Sequence, residues 1–240
     1  MVGQRGWWGQ GLAIAAVFAV AGCSAVGEGT SPAATDGKPS SSASAGGGGG
    51  QAADATTTLP GVPSAGQARE ELAGLSVAPH ESMAGYSRSK FPHWAEQDGC
   101  DTRERVLERD GTDVKRDDEC RAVSGTWVSV YDGETFTDAS DLDIDHTVPL
   151  ANAWRSGAKS WTQEKRKEFA NDLIRPQLLA VSASSNRSKG DQGPDEWQPP
   201  SKTYWCVYGR SWVSVKATYG LSVTEAEKDM LTEMLDTCTS

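Results

Sequence analysis

The sequence predicts an α+β domain built around a small antiparallel hairpin, held by two disulfides and preceded by a long segment unable to fold. Three observations carry this. Leu142-Asp-Ile-Asp-His146 alternates apolar and polar residues as a half-buried strand does, and the short apolar run at residues 177–181 offers it a partner across an insertion. The C-terminal residues Val223, Ala226, Met230, Leu231, Met234, Leu235 and Cys238 recur at helical spacing. Four of the five cysteines lie downstream of a stretch with almost no large apolar residue.

The chain has 240 residues and a formal net charge of -10. That charge argues against general affinity for nucleic acid, so a nucleic-acid-binding role requires a local basic surface and cations that offset the acidity. Residues 1–22 resemble a bacterial lipoprotein signal. Arg5 precedes an apolar stretch at residues 11–21, too short to span a bilayer, and Val20-Ala21-Gly22-Cys23 closes it. Cleavage before Cys23 would leave that thiol to carry a lipid, in preference to a plain secretory signal with an incidental cysteine. Residues 23–63 are Gly, Ser, Ala, Thr and Pro for the most part, with five consecutive glycines at residues 46–50, and cannot bury enough surface to fold. A tether of roughly 40 residues has an end-to-end distance of order 35 Å. The folded domain is expected over residues 64–240, its ordered part starting between Ser64 and Tyr86.

Within it, a helix is expected over residues 102–109, a strand over 126–130 with a turn at Gly133, and the strand 142–146. This strand would place Asp143 and Asp145 on one face, Ile144 and His146 on the other. A helix over about 162–173 follows, opened by Ser160-Trp-Thr-Gln163 as a capping box. Residues 177–181 form the partner strand and Ser184-Ser-Asn-Arg-Ser-Lys-Gly190 a helix start. Ser222-Val-Thr-Glu225 fits the cap of the terminal helix, whose buried face includes Cys238. Its expected partner is Cys206, leaving Cys100 with Cys120, although four cysteines allow three connectivities. A zinc cluster competes with this reading, but the cysteines lack the close spacing that structural zinc sites use.

Asp143-Ile-Asp-His-Thr-Val-Pro-Leu150, Leu178-Leu-Ala-Val-Ser182 and Asn186-Arg-Ser-Lys-Gly-Asp191 together resemble the ββα-metal (HNH, His-Me finger) core of HNH endonucleases. More narrowly they resemble the secreted actinobacterial proteins related to the C-terminal nuclease domain of GmrSD-type restriction enzymes. The wider likeness spans Tyr86 to Cys238 and includes Phe91-Pro-His-Trp94 and Asp195-Glu-Trp197. The resemblance implies an HNH core with surrounding helices, in which Asp145 and Asn186 hold one divalent cation, Mg²⁺ or Mn²⁺. It further implies that neutral His146 is the base that activates water. The family's middle Asn, which orients the loop of the base, has no counterpart in kind. Its position falls near Gln177, whose amide can do the same work, and the nearest asparagine is Asn171. His93 is read as packing with a possible phosphate contact, and His80 is assigned nothing.

Charge is distributed unevenly. Residues 101–145 hold six Lys or Arg against fourteen Asp or Glu, whereas residues 155–189 hold eight against three. The basic block supplies Arg155, Lys159, Arg175, Arg187 and Lys189 as candidate phosphate contacts, though Asn186 and Lys189 also suit a simple helix start. The expected partner is nucleic acid, DNA ahead of RNA, cleaved with little sequence preference by a monomer without organic cofactor, exported and lipid-anchored at the outer face of the membrane. The competing expectation is a non-catalytic surface lipoprotein that binds cell-wall polymer or a protein through Trp154, Trp161, Trp197, Trp205 and Trp212.

Overall fold

A computed structural model of the chain describes residues 59–239. The leader at residues 1–22, the lipidation position Cys23 and the linker as far as residue 58 lie outside the described residues. Among the described residues no helix is long and apolar enough to cross a membrane.

The elements follow in the order α1 (Ala65–Gly74), β1 (Glu96–Gln97), β2 (Cys100–Asp101), α2 (Thr102–Asp110), β3 (Thr112–Arg116), β4 (Ala122–Val128), β5 (Thr135–Phe136), β6 (Leu142–His146), α3 (Leu150–Arg155), α4 (Gln163–Ala170), β7 (Leu178–Ser182), α5 (Ala183–Lys189), α6 (Trp205–Tyr219) and α7 (Glu225–Asp236). The described residues form a mixed α+β arrangement with three small antiparallel sheets.

The ribbon of β6 and β7 is the wall on which the rest is hung. Its register pairs Leu142 with Ser182, Ile144 with Ala180, Asp145 with Leu179 and His146 with Leu178. Successive side chains alternate faces, and here both faces are covered. Leu142, Ile144, Leu178 and Ala180 join Val106 and Leu107 of α2 and Trp127 of β4 in a smaller core. Leu179 and Val181 join the larger core, which α1, α3, α6 and α7 complete. Asp143 and Asp145 share the parity of the larger-core face and therefore need polar partners there, whereas His146 shares the parity of Ile144.

Helix ends follow local chemistry. Asp101 caps α2, its side chain accepting from the amide of Glu104, and Thr162 caps α4 through Lys165 N. The cap expected at Ser160 thus moves two residues on and the helix ends at Ala170. The terminal cap also moves. Thr224 and Glu227 form the reciprocal capping box of α7, a Thr-x-x-Glu pattern two residues beyond the expected Ser-x-x-Glu one. The reason is that Ser222 and Val223 bond as extended backbone to Ser156 O and Ser76 O. Ser182, not Asn186, caps α5, accepting from Ser185 N. The strand expected over 126–130 is found at 122–128, and the aromatic segment at residues 204–208 opens the long helix α6, which propensity did not reveal.

α6 and α7 pack closely because Gly209 faces α7: a Cβ there would stand 2.9 Å from Met234 Cβ. Between them lies the fully buried pair Lys216–Glu227 at 3.1 Å, which Asn152 of α3 joins with a 2.8 Å bond to Glu227. Burial pulls the Lys216 ammonium down to a pKa of about 8, against the opposing pull of Glu227. The tryptophan platform is not formed: Trp212, Trp154 and Trp197 are 0%, 4% and 9% exposed and belong to the core.

Cys100 bonds to Cys120 and Cys206 to Cys238, which removes the zinc alternative. The second bridge ties the start of α6 to the residue just beyond α7 across a separation of 32 residues. Replacing both Cys206 and Cys238 by alanine is expected to lower the unfolding free energy by about 3–4 kcal/mol from lost loop closure. The readout is a lower denaturant midpoint with a steeper slope, because the chain without the cross-link exposes more surface when unfolded, and an unchanged unfolding free energy would show that the bridge contributes nothing.

Candidate functional site

A cleft of about 200 Å³ opens where β6, α3 and α5 meet, lined among others by Arg88, Asp145, His146, Asn186, Arg187 and Asp191. The structure thus brings Asp145, His146, Asn186 and Arg187 to one concave surface.

His146 is 4% exposed, at the last position of β6. Its Nε2 lies 3.0 Å from the carbonyl oxygen of Ala170, the final residue of α4. A carbonyl oxygen only accepts, so Nε2 carries the proton, and in the neutral ring Nδ1 holds the free lone pair. The ring is neutral because burial pushes its pKa down to about 3, against the Ala170 bond and with help from the positive charges of Arg88 and Lys189. Trp94 covers the imidazole at 5.9 Å between ring centroids and 31° between planes.

Two amides hold this histidine's surroundings. Gln177 is fully buried and bonds the backbone of Val148 twice, accepting from its N–H at 3.1 Å and donating to its carbonyl at 3.0 Å. It does not line the cleft; it is a positioning residue for the loop after His146. Asn171 accepts from Ala95 N and Thr102 Oγ1 and donates to Pro92 O and Lys167 O, pinning the segment that carries Trp94 beside the end of α4.

Asp145 is held by Lys189, whose Nζ donates to Oδ1 at 3.0 Å, to Oδ2 at 2.7 Å and to the His146 carbonyl at 2.8 Å. Tyr131 donates to Oδ2 at 2.5 Å. Burial and the neighbouring carboxylate both raise the Tyr131 pKa, which keeps the phenol a donor. Lys189 was expected at a substrate phosphate, but it is 0% exposed and all its donors are engaged inside the protein. Its position on the inward face of α5, opposite a strand that presents Asp145, accounts for the difference. Asn186, half-buried on the same helix, donates from Nδ2 to Asp143 Oδ2 at 3.1 Å, which leaves the amide oxygen to accept another partner.

The remaining expected phosphate contacts separate. Arg187 is exposed at the cleft, 3.9 Å from Asp143. Arg155 supports the rim from behind, donating to Asp191 O at 3.0 Å and standing 3.6 Å from Glu196. Lys159 reaches Ser82 O, and Arg175 bonds Thr218 beside a different cavity with Leu173 and Tyr219. Neither lines the cleft. Arg88, Trp94 and Tyr131 were not singled out as site residues: Arg88 and Tyr131 stand in no motif, and the block Phe91-Pro-His-Trp94 carries no signal that its tryptophan packs on His146.

Among the described residues no group of three or more His, Cys, Asp or Glu stands together to hold a metal ion. The donor set available is small and of oxygen: a carboxylate already shared with an ammonium, and a free amide oxygen. Such a set suits a hard cation that keeps most of its waters and takes further ligands from a substrate.

Two measurements follow. In the unfolded chain His146 takes up a proton near pH 6.5, in the folded chain only near pH 3. Between those values the unfolded state binds more protons, so stability falls as pH is lowered through that window. His146→Gln should flatten this dependence relative to the parent in urea titrations, and parallel curves would refute it. Lys189→Met should lower stability by about 3–5 kcal/mol, because it strands a buried carboxylate. An unperturbed melting curve would instead favour a surface role.

The family described as GmrSD restriction endonucleases, C-terminal domain, matches residues 101–234. A protein of Arthroderma benhamiae described as an uncharacterized secreted protein is 58% identical over 182 residues, covering 75% of this chain and 89% of the relative. No solved structure matches. The chain belongs to the family of the GmrSD restriction endonuclease C-terminal domain.

Proposed function

We propose that this protein is an exported, metal-dependent HNH endonuclease that hydrolyses phosphodiester bonds of nucleic acid, DNA ahead of RNA, with little sequence preference. The observation that carries the reading is the imidazole of His146. It is neutral, its tautomer is set by the Ala170 carbonyl, and its free nitrogen belongs to a residue that shares a cleft with Asp145, Asn186 and Arg187. On this reading β6, β7 and α5 form a ββα-metal core with α3 and α4 inserted.

Nδ1 of His146 removes the proton from the attacking water while Nε2–H stays on Ala170 O, so the ring holds its orientation through the step. Gln177 keeps the loop after the base in place. Arg187 offsets phosphate charge at the exposed rim. Asp145 and Asn186 would hold one Mg²⁺ or Mn²⁺, which when bound stabilises the leaving 3′ oxygen and the charge developing on phosphorus. Lys189 already neutralises part of Asp145, so affinity for the cation should be weak without substrate. The products would carry 5′ phosphate and 3′ hydroxyl ends. Export is supported by the leader-like residues 1–22 and by the description of the relative as secreted, and Cys23 at the end of that leader would carry the lipid.

Purified protein incubated with plasmid and Mg²⁺ should cleave, and a chelator should stop it. His146→Ala should lose about a hundredfold or more in rate with cation affinity nearly unchanged. Asp145→Asn, which spares Lys189 an empty pocket, should lose cleavage and cation affinity together. Full cation-dependent cleavage of plasmid DNA and of RNA by His146→Ala would sink the reading.

A further inference from the structure

The segment at residues 81–95 lies outside the matched family domain, yet it forms a strap along the insertion that carries α3 and α4. Glu81 N bonds Arg155 O, Lys159 reaches Ser82 O, Arg166 Nε donates to Lys90 O at 3.1 Å, and Asn171 clamps Pro92 O and Ala95 N. Phe91 anchors it, fully buried against Trp154 and Phe169. A short 3-10 turn, Arg88–Lys90, presents Arg88 at the cleft beside Asp145, His146 and Asn186.

Arg88 differs from its neighbours in what holds it. Its Nε lies 3.5 Å from Nε2 of His93, whose Nδ1 is 2.9 Å from Phe91 O. The Phe91 carbonyl fixes the tautomer, so His93 accepts from Arg88 and orients the guanidinium without neutralising it. Among the described residues no carboxylate stands within ion-pair distance of Arg88, whereas Arg155 faces Glu196 and Arg187 faces Asp143. In a chain with 33 Asp and Glu against 23 Lys and Arg, an exposed arginine left without an acid at the edge of a cleft is oriented for an anion from outside.

We propose that Arg88 binds a phosphate of the substrate backbone in this cleft, pairing its guanidinium with two non-bridging oxygens opposite Arg187. The inference rests on the nuclease reading for the identity of its ligand. The strap would thereby close one side of the site. The two arginines come from different elements, so the phosphate would be held between the strap and α5, with His146 and Asp145 on the floor. Bidentate geometry is the property that distinguishes arginine from lysine at such a position.

The test uses the full chain carrying His146→Ala, so that binding is measured without turnover, and a fluorescein-labelled DNA duplex in Ca²⁺ over a series of salt concentrations. Adding Arg88→Ala should weaken binding about tenfold and reduce the slope of log affinity against log salt by about one. Lys115→Ala, which removes the same charge from the exposed strand β3, should leave the slope unchanged. In the otherwise unsubstituted protein Arg88→Ala should lose tenfold or more in kcat/KM, and Arg88→Lys should regain binding but not the full rate. Inorganic phosphate competing equally well against both proteins would show that Arg88 does not hold the anion. An unchanged salt slope and full cleavage by Arg88→Ala, while His146→Ala remains inactive, would overturn the inference and leave the nuclease reading standing. Should the parent protein cleave nothing in any cation, the nuclease reading fails, and the salt slope alone still decides whether Arg88 binds a phosphate.

Discussion

The ion pair between Lys189 and Asp145 is the constraint on which the centre of this molecule depends. A ribbon buried on both faces has no place for carboxylates unless each finds a partner, since an unpaired buried charge is costly by several kcal/mol. β6 presents Asp143 and Asp145 to the same side, and α5 answers with Asn186 and Lys189, three positions apart and so on one helical face. Lys189 also takes the carbonyl of His146, so one ammonium ties the end of β6 to α5. The pairing sets the depth at which α5 packs and, with it, the distance between Asn186 and the strand.

The opposite face of β6 solves a different problem. His146 emerges among apolar residues and Trp94, where a charged imidazole would be unfavourable, and it meets the unsatisfied carbonyl at the C-terminus of α4. One bond satisfies the helix end and the ring nitrogen together. Burial alone would make the ring neutral without choosing a tautomer; the Ala170 carbonyl makes the choice. The insertion is therefore part of the site, because Ala170, the last residue of α4, decides which ring nitrogen keeps its free lone pair.

Much of the site was legible in the sequence because its parts are local. Alternation over residues 142–146 gave the faces of Asp145 and His146, and Asn186 lay on the helix directly after the partner strand. What escaped was non-local. Lys189 carries the same charge whether it faces phosphate or a buried acid, and only the packing of α5 on β6 distinguishes the two. Tyr131, Arg88 and Trp94 reach the site from segments separated from it by insertions, with no spacing to betray them. The same holds for α6, whose turns at residues 204–208 are rich in aromatic residues of modest helix propensity and are stabilised by burial rather than by local preference.

Two side-chain amides share the work of holding the surroundings of His146. Gln177 locks Val148 through both ends of its amide, and so fixes the loop that follows His146. Asn171 uses all its hydrogen-bonding capacity to join α4, the strap and α2, and so fixes the wall against which the ring packs. Holding both matters here because the ring is oriented by a carbonyl on one element, α4, and covered by an aromatic on another, the strap. Were either free to move, the Nε2 bond would be exchanged for one to water, the tautomer preference would vanish, and the neutral ring would no longer present one defined nitrogen to the cleft.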